Sequence, residues 1–477
     1  MKKTETIILG LIILIALTLR LYKIDRPIAD WHSWRQADTA AVSRNFVKDG
    51  FNLLIPKFDD MSKQANGLDN PNRYRFVEFP IYNAIIAVVW KITGVQALYA
   101  RLTTVIFTLL STTLLYLIVR KFSSVSTAAL SAFFFATIPY NVFYSSTILP
   151  GPFMVFSMLA LYYSFIKFLE NESAPFLILS ILFANLALLS WPIAVFFLLP
   201  VAYLALEKYR LNIYQKPMLW IFTILSAAPL IAWRIWILNF PQGIPNWRFL
   251  INEDNIRFKG AFFHWIFAER LGNLILAFGG VPLFILGILL KQGKEKLFYY
   301  SILVSGMLYV VIFASGNVRH DYYQVPLIPA LSIFMAKGTE IILSGKSDLV
   351  SRYVGSIIVF FLILLLYAFG YQQVRGYYWI NKPQIIEAGA AVDRLLPKDA
   401  TIIAPYNGDA AFLYQTNRRG YPITDRPLTD LVNQGTKYLV SVDPADAGIK
   451  NLAQKCKILE SNAGYVIIEM SKECLSQ

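Results

Sequence analysis

The chain has 477 residues, 56% of them hydrophobic and only 16% charged, against about a quarter charged in an ordinary soluble domain. Apolar runs of roughly 20 residues recur from the N-terminus to about Tyr371 and are apolar all round, which excludes one large soluble helical core and implies many membrane-spanning helices. The net charge of +14 resides mostly in short loops between these runs, where it sets topology and faces membrane lipids; no nucleic-acid motif accompanies it.

Met1-Lys2-Lys3 precedes an apolar run that continues into Arg20-Leu21-Tyr22 without a small-residue cleavage site. The expectation is an uncleaved signal anchor over about 5–22 with its N-terminus in the cytoplasm, Arg20 and Lys23 snorkelling to the interface. The first outer loop, 23–80, is then extracytoplasmic. From Asp30 to Pro80 it concentrates Asp, Glu, His and Arg beside aromatic residues, more than an aromatic belt explains, and reads as the floor of an active site at a membrane surface. Ser33-Trp34-Arg35-Gln36 fits a capping box, with Ser33 as N-cap and Gln36 at N3, so a helix is predicted to about Lys48, stopped by Gly50. Residues 52–75 read as irregular loop.

The apolar stretch after Pro80 is short. Taking it as a juxtamembrane helix over about 80–94 leaves Lys167, Lys208, Arg210, Lys291, Lys294, Lys346 and Arg352 in cytoplasmic loops, whereas taking it as a span inverts the pattern. The remaining spans are predicted near 97–119, 124–141, 151–168, 174–190, 192–207, 217–237, 271–290, 297–315, 324–343 and 353–371, for about eleven in all. Two further outer loops carry polar and aromatic residues: Asn239–Arg270, and the turn Arg319-His320-Asp321-Tyr322-Tyr323. The fold class is therefore a polytopic α-helical membrane protein (1–371) followed by a small extracytoplasmic α/β domain (372–477). In that domain Ile385–Leu396 reads as an amphipathic helix, Asp443–Lys455 as loop plus helix, and Thr401–Ala404, Tyr438–Val442 and Gly464–Met470 as strands. Cys456 and Cys474 flank the last strand; a disulfide and two free thiols are both open.

Candidate chemistry centres on the first loop. A helix start with His32 and Arg35 offers donors to a phosphate, and Asp30 or Asp38 can take a proton from an incoming hydroxyl. For Asp38 the alternative is an ion pair with Arg35 one turn earlier. Glu78, in Val-Glu-Phe-Pro, is read as facing a pocket. Arg101, in the first turn of the next span, either binds an anion or snorkels outward. Arg319 and His320 could grip a phosphate, while Tyr322 and Tyr323 fit a belt as well as a site.

Taken together, this layout resembles the C superfamily of glycosyltransferases, in the branch of protein O-mannosyltransferases and the lipid A aminoarabinose transferase. The resemblance rests on one span, a large outer loop with an acidic motif, a Pro-led juxtamembrane helix, Ala100-Arg101-Leu102, about ten more spans, an Arg/His-Tyr-Tyr-x-x-Pro span start and an outer soluble domain. It covers most of the chain. Counting back from Ser43-Arg44 places Arg35-Gln36 where the family commonly has Asp-Glu; the loop is instead similar to a bacterial subgroup with D-x-H-S-W-R-Q-x-x-T-A, matched by Asp30, His32, Ser33, Trp34, Arg35, Gln36, Thr39 and Ala40. Glu78-Phe79-Pro80 resembles the family's Glu-Lys-Pro, with the lysine replaced.

The resemblance implies an inverting transferase moving a sugar from a polyprenyl-phosphate carrier to an acceptor hydroxyl on protein, lipid or glycan, at the outer face of a bacterial cytoplasmic membrane. Asp30, Asp38 and Glu78 are the implied catalytic residues, with Asp30 slightly favoured as base. The donor would be held by His32, Arg35, Gln36, Arg101, Arg319, His320 and Tyr322. No nucleotide or other cofactor is implied, and a divalent ion at the carboxylates stays open. The rival classes are a lipid-linked sugar flippase, an O-antigen ligase or polymerase, and a non-enzymatic envelope scaffold.

Overall fold

The computed structural model describes residues 2–289, 296–344 and 351–476; Lys291, Lys294 and Lys346, on which part of the topology expectation rests, lie outside the described residues. The chain opens on helix α1 (Lys3–Arg20), followed by α2 (Ser33–Asp49), α3 (Ile81–Thr93) and α4 (Ala97–Phe122). Among the described residues six helices are long and apolar enough to cross a membrane: α4, Gly151–Asn171, Pro192–Gln215, Pro217–Asn239, Asp321–Ser344 and Arg352–Tyr378. Helix α1 falls outside this set because Lys3, Glu5 and Arg20 lie within its 18 residues. Val125–Thr137, Ala174–Ser190 and Leu297–Ile312 are apolar but shorter, as is α3.

Two expected spans are broken. Over 271–290 the chain forms Gly260–Ile275 and Gly280–Leu289, bent by 116°. Ala277 and Phe278 take φ of 45° and 57° at the corner, and a Cβ on Gly279 would lie 2.2 Å from the Leu362 carbonyl oxygen, an approach only glycine permits. Over 124–141 the helix ends at Thr137 and restarts at Pro139, because proline lacks the N–H that would continue the ladder and pushes Ile138 out of the helical region. The carbonyls this exposes are met by side chains: Asn141 Nδ2 donates to Phe135 O at 2.6 Å and Arg20 Nη1 to Ala136 O at 2.7 Å. Arg20 also donates through Nε to Ser145 Oγ at 2.6 Å and is fully buried. It therefore does not snorkel; apolar surroundings make backbone satisfaction the stronger demand.

The chain forms two compact units. One comprises Met1–Ile24, Arg101–Arg234 and Trp247–Gly376. Its Gly280–Leu289 and Ile328–Ser344 helices meet at glycines: a Cβ on Gly338 would stand 1.9 Å from Leu283 O, and one on Gly287 1.8 Å from Phe334 O. Small residues admit this contact where lipid removes the hydrophobic drive between helices.

The other unit comprises Asp25–Ala100, Ile235–Asn246 and Tyr377–Gln477. The segment Asp25–Ala100 thus folds with the C-terminal residues, and the units do not follow a cut at residue 371. The sheet has the order β2-β1-β3-β5-β4, with β1 Thr401–Ile403, β2 Arg419–Tyr421, β3 Tyr438–Ser441, β4 Lys457–Ser461 and β5 Val466–Glu469. Strands β2, β1 and β3 are parallel, and β3, β5 and β4 antiparallel. Ile403, Leu431, Leu439 and Ile468 fill its core, and Cys456 and Cys474 form a disulfide with Cα atoms 5.1 Å apart.

Backbone hydrogen bonds add the loop to the sheet. Met61 N–H donates to Gly420 O at 2.8 Å, and Gly420 N–H to Asp59 O at 3.0 Å. Gly420 is obligatory there, since a Cβ would sit 1.8 Å from Ile402 O. Helix α2 ends at Gly50 as expected, and its Ala41, Val42 and Phe46 bury against Ala87 of α3, Phe58 and Tyr414. The 52–75 segment contains one antiparallel bridge, Lys57–Tyr74.

Candidate active site

The expected capping box at the start of α2 does not form. The residue preceding the helix is His32, in left-handed conformation (φ 54°), with no side-chain cap. Gln36 turns back instead, donating from Nε2 to Asp30 Oδ1 at 2.8 Å and to Trp31 O at 3.1 Å. A buried carboxylate is a strong acceptor for the side-chain N–H and draws it away from the helix start. Asp30 accepts a second charge-assisted bond from Arg26 Nε at 2.5 Å on its other oxygen. Trp31 stacks on Tyr377, with centroids 4.9 Å apart, and Arg26 lies over Tyr378. Asp30 thus anchors the loop entrance within a turn that joins 26–36 to 377–378, with both carboxylate oxygens engaged.

One turn into α2 the arrangement changes. Arg35 pairs with Glu78 and Asp38 with Arg75, so the Arg35–Asp38 pair weighed from spacing is replaced by two ion pairs that cross from α2 to the 75–78 segment. Asp38 and Glu78 are nearly buried. Arg75 is supported by the Phe58 ring, 5.0 Å away, and Arg35 Nη1 donates to Thr39 Oγ1 at 3.3 Å. Asn83 of α3 donates to Thr39 O at 2.7 Å. Arg35, Asp38, Thr39, Arg75, Glu78 and Asn83 line one cleft with a free volume of about 20 Å³, enough for one water-sized group. Glu78 Oε2 and Arg75 Nε are buried there without a hydrogen-bond partner. A buried polar atom left unsatisfied costs about 1–3 kcal/mol, so these two atoms mark a place prepared for something polar.

Two more carboxylates, outside the helix, feel the charge of Asp38. Asp60 and Asp409 are each pushed up to about 6, chiefly by burial and further by the negative charge of Asp38, against hydrogen bonds from Ser62 and from the Ala411 amide respectively. Sequence reading assigned no role to Asp60, Asp409, Arg75 or Asn83. The Asp59-Asp60 doublet was the available local sign; Asp409 had none, because its relevance comes from the C-terminal residues folding with the loop.

Among the predicted residues, Arg35, Asp38 and Glu78 come together. Asp30, His32 and Gln36 belong to the same unit but lie outside the cleft lining, His32 packing edge-on to Trp31. The other four belong to the membrane-helix unit. Arg101 is fully buried, with Nη1 3.5 Å from Ile24 O, so it does not snorkel. Arg319 is half exposed and pairs with Glu253; His320 stacks on Tyr322, centroids 5.6 Å apart. Asp321, between them, accepts from Tyr144 Oη at 2.6 Å. Among the described residues no three His, Cys, Asp or Glu side chains group as metal ligands.

Residues 72–236 match the family model for dolichyl-phosphate-mannose-protein mannosyltransferase. No curated protein matches the chain in sequence. Among solved structures it is similar to ArnT from Cupriavidus metallidurans bound to undecaprenyl phosphate, with a TM-score of 0.69 and 13% identity over 98% of either chain. It is also similar to the oligosaccharyltransferase AglB from Archaeoglobus fulgidus, in complex with an inhibitory peptide and a dolichol-phosphate (TM-score 0.58, 11% identity, 99% of this chain and 74% of that one). A third likeness is to the arabinofuranosyltransferase AftD from Mycobacteria (TM-score 0.57, 13% identity, 98% and 41%). At these identities the likeness is one of fold, that of a multi-pass membrane protein. Residues 72–236, about a third of the chain, thus match the model of the dolichyl-phosphate-mannose-protein mannosyltransferase family, and the chain as a whole shares its fold with these membrane proteins.

Proposed function

We propose that the protein is an inverting glycosyltransferase that moves a sugar from a polyprenyl-phosphate carrier to an acceptor hydroxyl at the outer face of a bacterial cytoplasmic membrane. In this reading the short apolar helices complete a set of about eleven crossings, the N-terminus is cytoplasmic and the unit containing α2 and the sheet is extracytoplasmic. The acceptor is a hydroxyl of protein, lipid or glycan. The observation that carries the reading is the cleft of Asp38 and Glu78, each held by an arginine, with Glu78 Oε2 unsatisfied. Its free volume suits a hydroxyl, not a sugar ring, so the sugar stays at the mouth.

The step follows from that placement. The acceptor oxygen attacks the anomeric carbon from the face opposite the phosphate, its proton passes to Asp38, and the anomeric C–O bond breaks with its electrons leaving on the lipid phosphate. Asp38 is a better base than Asp30 because both Asp30 oxygens are already engaged. Of the two arginines that line the cleft, Arg35 beside Glu78 is the one assigned to meet developing phosphate charge, where electrostatic stabilisation is largest. The donor is preactivated, so no nucleotide is needed; transfer that stopped on chelation and returned with a divalent ion would add a metal to the scheme. The decisive measurement follows labelled polyprenyl-phosphate sugar in vesicles. Label leaving the lipid in wild type and slowing by about 10²-fold or more per folded molecule in Asp38→Asn supports the reading. Wild-type turnover in that variant removes Asp38 as base, and intact lipid changing leaflet identifies a flippase.

A further inference from the structure

A second pocket in the same unit, away from the Asp38 cleft, carries cations on one side and apolar residues on the other. Pro27, Ile28, Val95 and Ala97 form the apolar wall; Arg44, Lys48, Gln415 and Asn417 form the polar one, and the pocket is about 310 Å³, within the range of small-ligand sites. Ala97 is the first residue of α4, one of the helices apolar enough to cross a membrane, so the apolar wall adjoins the end of a span.

Arg44 is the fixed element. It is 4% exposed, pairs with Asp59 at 2.5 Å, donates to Tyr414 O at 2.9 Å and lies over the Tyr414 ring at 4.0 Å. Its Nε is nevertheless buried with no hydrogen-bond partner. Lys48 stands at the rim, donating to Asn417 Oδ1 at 2.6 Å. The charged groups facing Lys48 are Arg44 and Arg418 on the cationic side and Asp59 and Asp393 on the anionic side; withdrawal from water, then the Arg44 charge, pulls its ammonium down to about 8. Asp59 and Asp393 are themselves committed to Arg44 and Arg418, so the pocket holds positive charge that no nearby carboxylate is free to balance.

We propose that this pocket binds an anionic phosphate ester borne by a membrane amphiphile, one without a cationic headgroup, the phosphate between Arg44 Nε and Lys48 and the first carbons of the ester along Pro27, Ile28, Val95 and Ala97. The apolar wall distinguishes this ligand from free phosphate, and the paired guanidinium and ammonium suit a tetrahedral oxyanion. The inference does not depend on sugar transfer, and its readout is binding.

The full chain, purified in detergent, is offered phosphatidylglycerol, phosphatidylcholine and inorganic phosphate, with bound lipid counted by native mass spectrometry and phosphate protection by thermal unfolding at constant ionic strength. Retention of phosphatidylglycerol over phosphatidylcholine, reduced about fivefold in Lys48→Gln and lowered also in Arg44→Lys, supports the proposal. Lys48 is exposed at the rim, so its variant tests the site even if Arg44→Lys fails to fold. Protection by inorganic phosphate equal to that by the lipid would assign the site to free phosphate and overturn the amphiphile. No preference for phosphatidylglycerol, or a preference unmoved by Lys48→Gln, would overturn it entirely. Asp38→Asn retains the binding in either case, which separates failure of this site from failure of the transfer mechanism.

Discussion

Asp30 and Asp38 sit on one helix entrance, are equally buried and are each paired with an arginine, yet their surroundings differ in kind. Around Asp30 every carboxylate oxygen has a donor: Arg26 takes one and Gln36 the other. Around Asp38 the network is left incomplete, with Glu78 Oε2 and Arg75 Nε unsatisfied in a cleft of about 20 Å³. A closed network fixes a backbone; an open one keeps a place for a reacting group. The difference teaches that the presence of an acid in a motif says less about chemistry than whether its neighbours are fully bonded.

The largest expected effect sets the two aspartates directly against each other. Asp38→Asn is expected to lower transfer per folded molecule by about 10²–10⁴-fold, whereas Asp30→Asn leaves turnover per folded molecule near wild type; both lower stability, because each leaves a buried arginine without its carboxylate. Equal losses of turnover in the two variants would break the distinction. Next come the arginines. Removing one partner of a buried pair leaves the other charge uncompensated, at about 3–5 kcal/mol, so Arg26→Ala and Arg75→Ala are both expected to lower the unfolding midpoint. Neutralising both members, in Asp38→Asn with Arg75→Gln, should recover much of that stability and none of the transfer.

Gln36→Leu sharpens the point at smaller scale. It leaves Asp30 Oδ1 without its amide donor, for about 1–3 kcal/mol, and should leave turnover unchanged, as measured by activity normalised to folded protein. The smallest effect is a pH dependence. Asp60 and Asp409 hold protons up to about pH 6 in the fold and only to about 4 when unfolded. Between those values the folded state binds more protons, so their contribution to stability falls as pH rises from about 4 through 6 and stays lost above. Asp60→Asn is therefore expected to match wild type below pH 4 and to exceed it, on the order of 1 kcal/mol, above pH 7; a thermal-melt series in pH reads this directly.

Much of this architecture was legible in the chain. The α2 helix and its stop at Gly50, the short helix after Pro80 and three of the five strands follow from periodicity, glycine and β-branched runs. Strands β2 and β4 escaped because Arg419-Gly420-Tyr421 has no alternation and Lys457–Ser461 lies largely exposed at the sheet edge. The breaks at Pro139 and at Ala277–Gly279 were hidden inside uniformly apolar runs, where hydropathy averages over a corner. The site was half legible. Composition marked the Asp30–Pro80 loop, but pairings such as Arg35–Glu78 and Asp38–Arg75 arise from how the loop folds back, and local spacing offered only the wrong partner, three residues away. Asp409 could not be found at all without knowing that residues 377–477 complete the loop.

The backbone bonds between Met61, Asp59 and Gly420 impose an order of events on biosynthesis. The strand that receives the loop is made about 360 residues after it, so at ~5–20 residues per second the loop waits ~20–70 s for its partner. During that interval Asp60 and the Arg44–Asp59 pair face water rather than Tyr414 and β2. A chain truncated before residue 401 would never leave that waiting state, so the C-terminal segment is less an attached module than the last part of the first loop.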